Sequence, residues 1–127
     1  MVFTFNNANS KDFNIKIKKS NHLSIPRKKL EFIEVQGRTD NLIIDEGARE
    51  MLDIEIEAYI DCRNEDTYSY ALRLDKWLNG VNGYSNLIFD DNTTLKAIFV
   101  GQIDFNEIIE NFNEILLQFK AYRESDL

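Results

Sequence analysis

The chain has 127 residues, enough for one domain and rarely for two, and 43% of them are apolar, so a real core can form. A single Pro and five Gly leave no room for a low-complexity linker, and no run approaches the roughly 18 apolar residues that a bilayer-spanning helix needs, so no membrane insertion is expected. Net charge is −7 but unevenly spread: residues 1–30 carry Lys11, Lys16, Lys18, Lys19, Arg27, Lys28 and Lys29 against Asp12 alone, and the remainder is strongly acidic.

Strand signals dominate the pass along the chain. Phe3–Asn6 comes first, and the absence of a charged n-region before it argues against a secretory signal. Asn14-Ile15-Lys16-Ile17-Lys18 then alternates apolar and basic residues, and 30–36 and 42–45 form a further pair of candidate strands. The clearest strand is 52–61, with Leu52, Ile54, Ile56, Ala58 and Ile60 on one face and Asp53, Glu55, Glu57 and Asp61 on the other. One wet face favours antiparallel pairing. A helix is predicted over about 64–79, with Asn64 as cap, Glu65 and Asp66 in its first turn, and Tyr70, Leu74, Trp77 and Leu78 as its apolar stripe. Gly80 is its stop and Asn82-Gly83 a turn. Strands are predicted at 87–90, 96–103 and 115–122. Between the last two, 104–114 stays open, because Phe105, Ile108, Ile109 and Phe112 fit a helix while Asn111-Phe112-Asn113 fits a turn between strands. So many short strands predict a mainly β (α+β) fold: an antiparallel sandwich or small barrel with one flanking helix, in a single domain over 1–127.

Candidate chemistry is sparse. His22 and Cys62 are too few for a structural zinc site, and nothing orients them as a thiol–imidazole couple; an exposed His and a half-buried Cys are expected. The lone Cys fits synthesis in a reducing cytosol. Asp53, Glu55 and Glu57 lie on an open strand face, where nothing desolvates a carboxylate enough to make an acid–base pair. Asp90-Asp91-Asn92 lacks the spacing and closing Glu of a calcium loop and reads as a hairpin turn. The scattered glycines make no phosphate loop. The lysines near 16–19 are not interleaved with aromatic residues, which argues against specific nucleic-acid binding. No catalytic, cofactor-binding or metal residue is assigned.

Two features point to assembly. A basic side and an acidic side suit head-to-tail contact between copies, although differently solvated faces account for the same numbers. The stretch Val35-Gln36-Gly37-Arg38-Thr39-Asp40-Asn41 is a tight turn from which Arg38 projects, either simply solvated or docked on a neighbour. The candidate interface residues are therefore Gly37, Arg38, Asp40 and Asn41 at this tip, with Lys28 and Lys29 leading into it.

Taken in order, Phe3-Thr-Phe-Asn-Asn, Ser10-Lys-Asp-Phe13, Pro26, Val35-Gln-Gly-Arg38, the acidic strand 52–61, Trp77-Leu-Asn-Gly80, Leu87-Ile-Phe-Asp90, Gly101-Gln-Ile-Asp104 and the strand bearing Phe119 resemble the N-terminal domain of the siphophage distal tail protein (Dit) family, also called phage tail component. The resemblance runs from about Phe3 to Tyr122. Thr39-Asp40-Asn41 departs from the glycine the family often has there, and the second, carbohydrate-binding-like domain of many members is expected to be missing, so sugar binding is not carried over. The resemblance implies a β-sandwich like that of tail tube proteins, with a strand–turn–strand at 104–122. It implies a structural virion protein, made in the bacterial host cytoplasm, of which six copies form a ring at the tail tip. The implied partners are further copies, the tail tube protein, the tape measure protein and tail-lysin or baseplate proteins, around a lumen that passes DNA; the acidic strand face is expected to line it. Another tail tube or tail-completion protein of the same fold, or a small carbohydrate-binding module or hydrolase, are the competing expectations.

Overall fold

The computed structural model of the chain describes residues 1–126. Strands β1 (Phe3–Phe5) and β2 (Ala8–Asn9) lead through a short 3-10 helix at Ser10–Phe13 into β3 (Ile15–Ser20), followed by β4 (Lys28–Glu34), β5 (Asn41–Arg49) and β6 (Leu52–Asp61). Helix α1 (Thr67–Asn79) comes next, then β7 (Ser85–Phe89), β8 (Thr94–Val100), β9 (Asn106–Ile109) and β10 (Phe112–Tyr122). Every pairing is antiparallel. One eight-stranded sheet has the order β2-β1-β7-β8-β10-β6-β3, with β9 also on β10, and β4-β5 form a separate two-stranded sheet.

The large sheet closes on itself. Three strand steps separate β1 from β10, about 14 Å in a flat sheet at the usual spacing, yet the Phe5 and Phe119 rings are 5.0 Å apart. The β1–β7 part therefore folds over the β10–β6 part, which gives the expected sandwich with one flanking helix. Its filling is the set of alternate residues predicted from periodicity: Leu52, Ile54, Ile56, Ala58 and Ile60 of β6, with Ile115, Leu117, Phe119 and Ala121 of β10 opposite, are all buried. Tyr70, Leu74, Trp77 and Leu78 bury the inner side of α1. Trp77 is the central piece, stacked on Phe13 at 4.1 Å and donating from Nε1 to the Phe5 carbonyl at 2.7 Å.

Local differences from expectation have plain causes. The cap of α1 is Asp66, not Asn64: Asp66 has extended backbone and its carboxylate accepts the Ser69 N–H at 3.2 Å. The preceding turn is already used, because the Asp61 carboxylate takes the Arg63 N–H and guanidinium. The open stretch forms strand β9, a turn and strand β10; the turn sits at Glu110-Asn111, one residue before the Asn111–Asn113 expected, because Asn111 supplies the left-handed φ of 64°. Asn6 and Asn7, both at positive φ, make the tight β1–β2 turn in the same way; this two-residue strand carries too little pattern to be found in advance.

Candidate assembly surface

The β4–β5 hairpin is an arm. No residue from Lys28 to Glu50 is buried, whereas half of β6 is. The register pairs Phe32 with Ile43 and Ile33 with Leu42. Successive residues of a strand point to opposite faces, so Leu30, Phe32 and Ile43 lie on one face and Ile33, Leu42 and Ile44 on the other. Phe32 is 60% and Ile43 58% exposed. A lone two-stranded hairpin is marginal in water, so an exposed apolar patch of this kind is a candidate docking surface.

The predicted interface residues all fall on this arm, but not together. Gly37, at φ +83°, and the Arg38 N–H donating to the Val35 carbonyl at 3.2 Å form the tip. Arg38 forks onto Asp40 of the same turn, Nε to Oδ1 at 3.1 Å and Nη2 to Oδ2 at 2.6 Å. Both are well exposed, so this pair adds at most ~1 kcal/mol. Asn41 begins β5 opposite Glu34. Lys28 and Lys29 sit at the arm's root, a strand length of roughly 20 Å from the tip. The apolar pairs between root and tip are the functional candidates that turn chemistry missed. Their signal was present: Phe32-Ile33 and Leu42-Ile43-Ile44 are consecutive apolar residues that break the one-wet-face pattern.

The body contributes two unlike margins. β3 is the last strand of its side and carries Lys16, Lys18 and Lys19. A groove of about 390 Å³ runs along it, lined by Met1, Val2, Lys11, Ile15, Ile17 and Asp61 among others. At the other end of the row β9-β10-β6-β3, strand β9 pairs, among the described residues, with β10 alone. It exposes Ile108 and Ile109 and lies among Asp104, Glu107 and Glu110 with no base nearby in sequence. One margin is basic and the other acidic and apolar.

The outer face between them is less acidic than β6 alone implied. Lys18 reaches across the Tyr59 ring to Glu114 at 3.3 Å, and Lys120 reaches Asp53 at 2.5 Å. The Glu114 carboxylate beside Lys18 raises that ammonium's pKa, and Arg63 holds Asp61 below the usual carboxylate range.

His22 and Cys62 are placed differently from expectation: both are buried. The His22 ring stacks on Phe89, with Asp91 and Ser20 on its two nitrogens. Cys62 lies beyond the far end of β6, where burial pushes its thiol pKa up and so keeps it protonated. The two residues do not meet. Asp91 belongs to the β7–β8 hairpin turn, as predicted. Among the described residues, no three His, Cys, Asp or Glu side chains gather as a metal set, and no helix is long and apolar enough to cross a membrane.

No protein-family model matches the chain, and no curated protein matches it. Among solved structures it is similar to the SPP1 Dit (gp 19.1) protein, described as a paradigm of the hub adsorption apparatus in phages infecting Gram-positive bacteria, with a TM-score of 0.78 and 13% sequence identity. The match covers 94% of this chain and 49% of that one, so the chain spans about half the length of SPP1 Dit. At that identity the likeness is one of fold.

Proposed function

We propose that the chain is a structural subunit of a phage or prophage tail, self-assembling into a ring, six copies by the family resemblance, that joins the distal end of the tail tube to baseplate or tail-tip proteins. The arm carries this reading: a hairpin with exposed apolar residues on both faces, left uncovered by the described residues, is built to be held by a neighbour. The unlike margins support a head-to-tail arrangement. Contact between the acidic β9 of one copy and the basic β3 of the next uses two different patches, which yields a ring when the rotation closes. The fold shared with SPP1 Dit, a phage hub protein, supports a tail role. Lys28, Lys29, Gly37, Arg38, Asp40 and Asn41 bracket the apolar part of the arm, where they would set register on the neighbour. The proposed partners are further copies, the tube, the tape measure protein and the baseplate.

Sedimentation of the protein up to millimolar concentration tests the reading. A closed ring that disperses in the double variant Phe32→Ser, Ile43→Ser is expected. A monomer at every concentration, or a two-fold dimer unaffected by those substitutions, would overturn it.

A further inference from the structure

We propose that His22 is the positioning residue of the arm: by clipping the segment ahead of β4 onto the β7–β8 turn, it sets the direction in which the arm leaves the body. The inference concerns the arm's direction and holds whatever the arm's target is.

After β3 the chain must cross the end of the sheet before it can start the arm. Asn21 begins the crossing by standing in for a strand: its Nδ2 donates to the Asp53 carbonyl at 3.0 Å, and its Oδ1 accepts the Glu55 N–H at 2.7 Å. His22 then turns inward. Its ring lies on Phe89 with 3.8 Å between centroids and planes 9° apart. Nε2 is 2.7 Å from Asp91 Oδ2 and Nδ1 is 2.9 Å from Ser20 Oγ. A ring stacked on one face and bonded at both nitrogens can neither spin nor slide, so the backbone at residue 22 is fixed relative to a turn far along the chain. An apolar side chain would fill the same space without that restraint.

Beyond His22 the chain is exposed until Pro26, which is buried. Leu23 and Ile25 are 72% and 77% exposed. The next contacts, the Glu50 N–H donating to the Arg27 carbonyl at 2.7 Å and Arg49 Nη1 to the Pro26 carbonyl at 3.0 Å, tie the two limbs of the arm to each other. Among the described residues, the last side-chain hydrogen bonds from the outgoing limb to the body are therefore those of Asn21 and His22, with buried Pro26 just beyond them. Small angular freedom there is magnified along an arm of roughly 20 Å.

The test reads direction, not assembly. Spin labels on Thr39→Cys at the tip and Asn79→Cys at the end of α1, in a Cys62→Ala background kept dilute and monomeric, report the tip-to-body distance by pulsed electron resonance. His22→Leu, which fills the core but bonds to nothing, is expected to at least double the width of the distance distribution while leaving circular dichroism unchanged. Asp91→Ala removes the clip from the exposed side without touching the core, and a clear broadening is expected there too. It decides the matter if His22→Leu does not fold. His22→Gln, which keeps a polar group able to bond Asp91, should recover part of the native width. A distribution unchanged in Asp91→Ala, and in His22→Leu where that variant folds, would overturn the inference.

Discussion

The body strand β6 and the arm strand β5 are neighbours in sequence and comparable in length, yet one has all its aliphatic residues buried and the other has none buried. Local β-propensity is similar in both. They differ in what lies across from them: β6 has α1 and the opposite layer over its inner face, whereas β5, among the described residues, pairs with β4 alone. The stability of the monomer should therefore be concentrated in the body, and the capacity to associate in the arm. Substitutions that strike one and spare the other can break that division.

The largest effect is expected at the aromatic centre. Trp77→Ala removes the stacks on Phe13 and Phe3 and the hydrogen bond to the Phe5 carbonyl, a loss of about 3–5 kcal/mol by the usual cost of deleting a large core aromatic. Urea unfolding would show a midpoint shift to match, or a protein that no longer folds. A loss below about 1 kcal/mol would mean the core is not organised around this ring. Tyr70→Phe is milder. The buried hydroxyl donates to the Phe13 carbonyl and is held protonated by burial, and removing it should cost about 1–2 kcal/mol.

A smaller, pH-dependent effect is expected at Asp91. Its hydrogen bond to His22, helped by Thr93, lowers its carboxyl from 3.8 to about 2. A carboxylate depressed in the fold contributes stability above its unfolded value and loses it as pH falls through the folded value. The gap in unfolding midpoint between the native protein and Asp91→Asn should thus be full at pH 5 and shrink between about pH 4 and pH 2. A gap that widens on acidification would contradict the assigned direction.

How much of this was legible in the sequence follows the same division. Alternation located β6 and β10, and three- and four-residue spacing picked out Tyr70, Leu74, Trp77 and Leu78, because in the body side chains answer to a single inside. The arm obeyed no such rule. Phe32-Ile33 and Leu42-Ile43-Ile44 break the one-wet-face pattern, but consecutive apolar residues also suit a strand buried on both faces, so the sequence does not say that the chain leaves them uncovered. His22 was illegible for a different reason: its partners Phe89 and Asp91 come from a turn almost 70 residues away and nothing in Ser20-Asn21-His22 announces them. The Asp66 cap was missed because Asn64 and Asp66 both carry cap chemistry two residues apart, and only the backbone decides which is used.

The smallest effect on the fold, and the sharpest on the division, is expected at the arm's tip. Arg38 looked like a charge free for a neighbour, but it is already forked onto Asp40 within its own turn. Two such exposed groups hold each other weakly, by ~1 kcal/mol at most, so a neighbour's carboxylate can compete for the guanidinium at little cost. Arg38→Glu should leave the monomer's unfolding midpoint almost unmoved, since repulsion from Asp40 is screened by solvent and salt. Its effect should appear instead in sedimentation, as weaker association that high salt partly restores. Asp40→Asn separates two roles for the pair. If Asp40 serves only to hold Arg38 in place, freeing the guanidinium strengthens association or leaves it unchanged; if the fork itself is the docking element, Asp40→Asn weakens it as much as Arg38→Glu does.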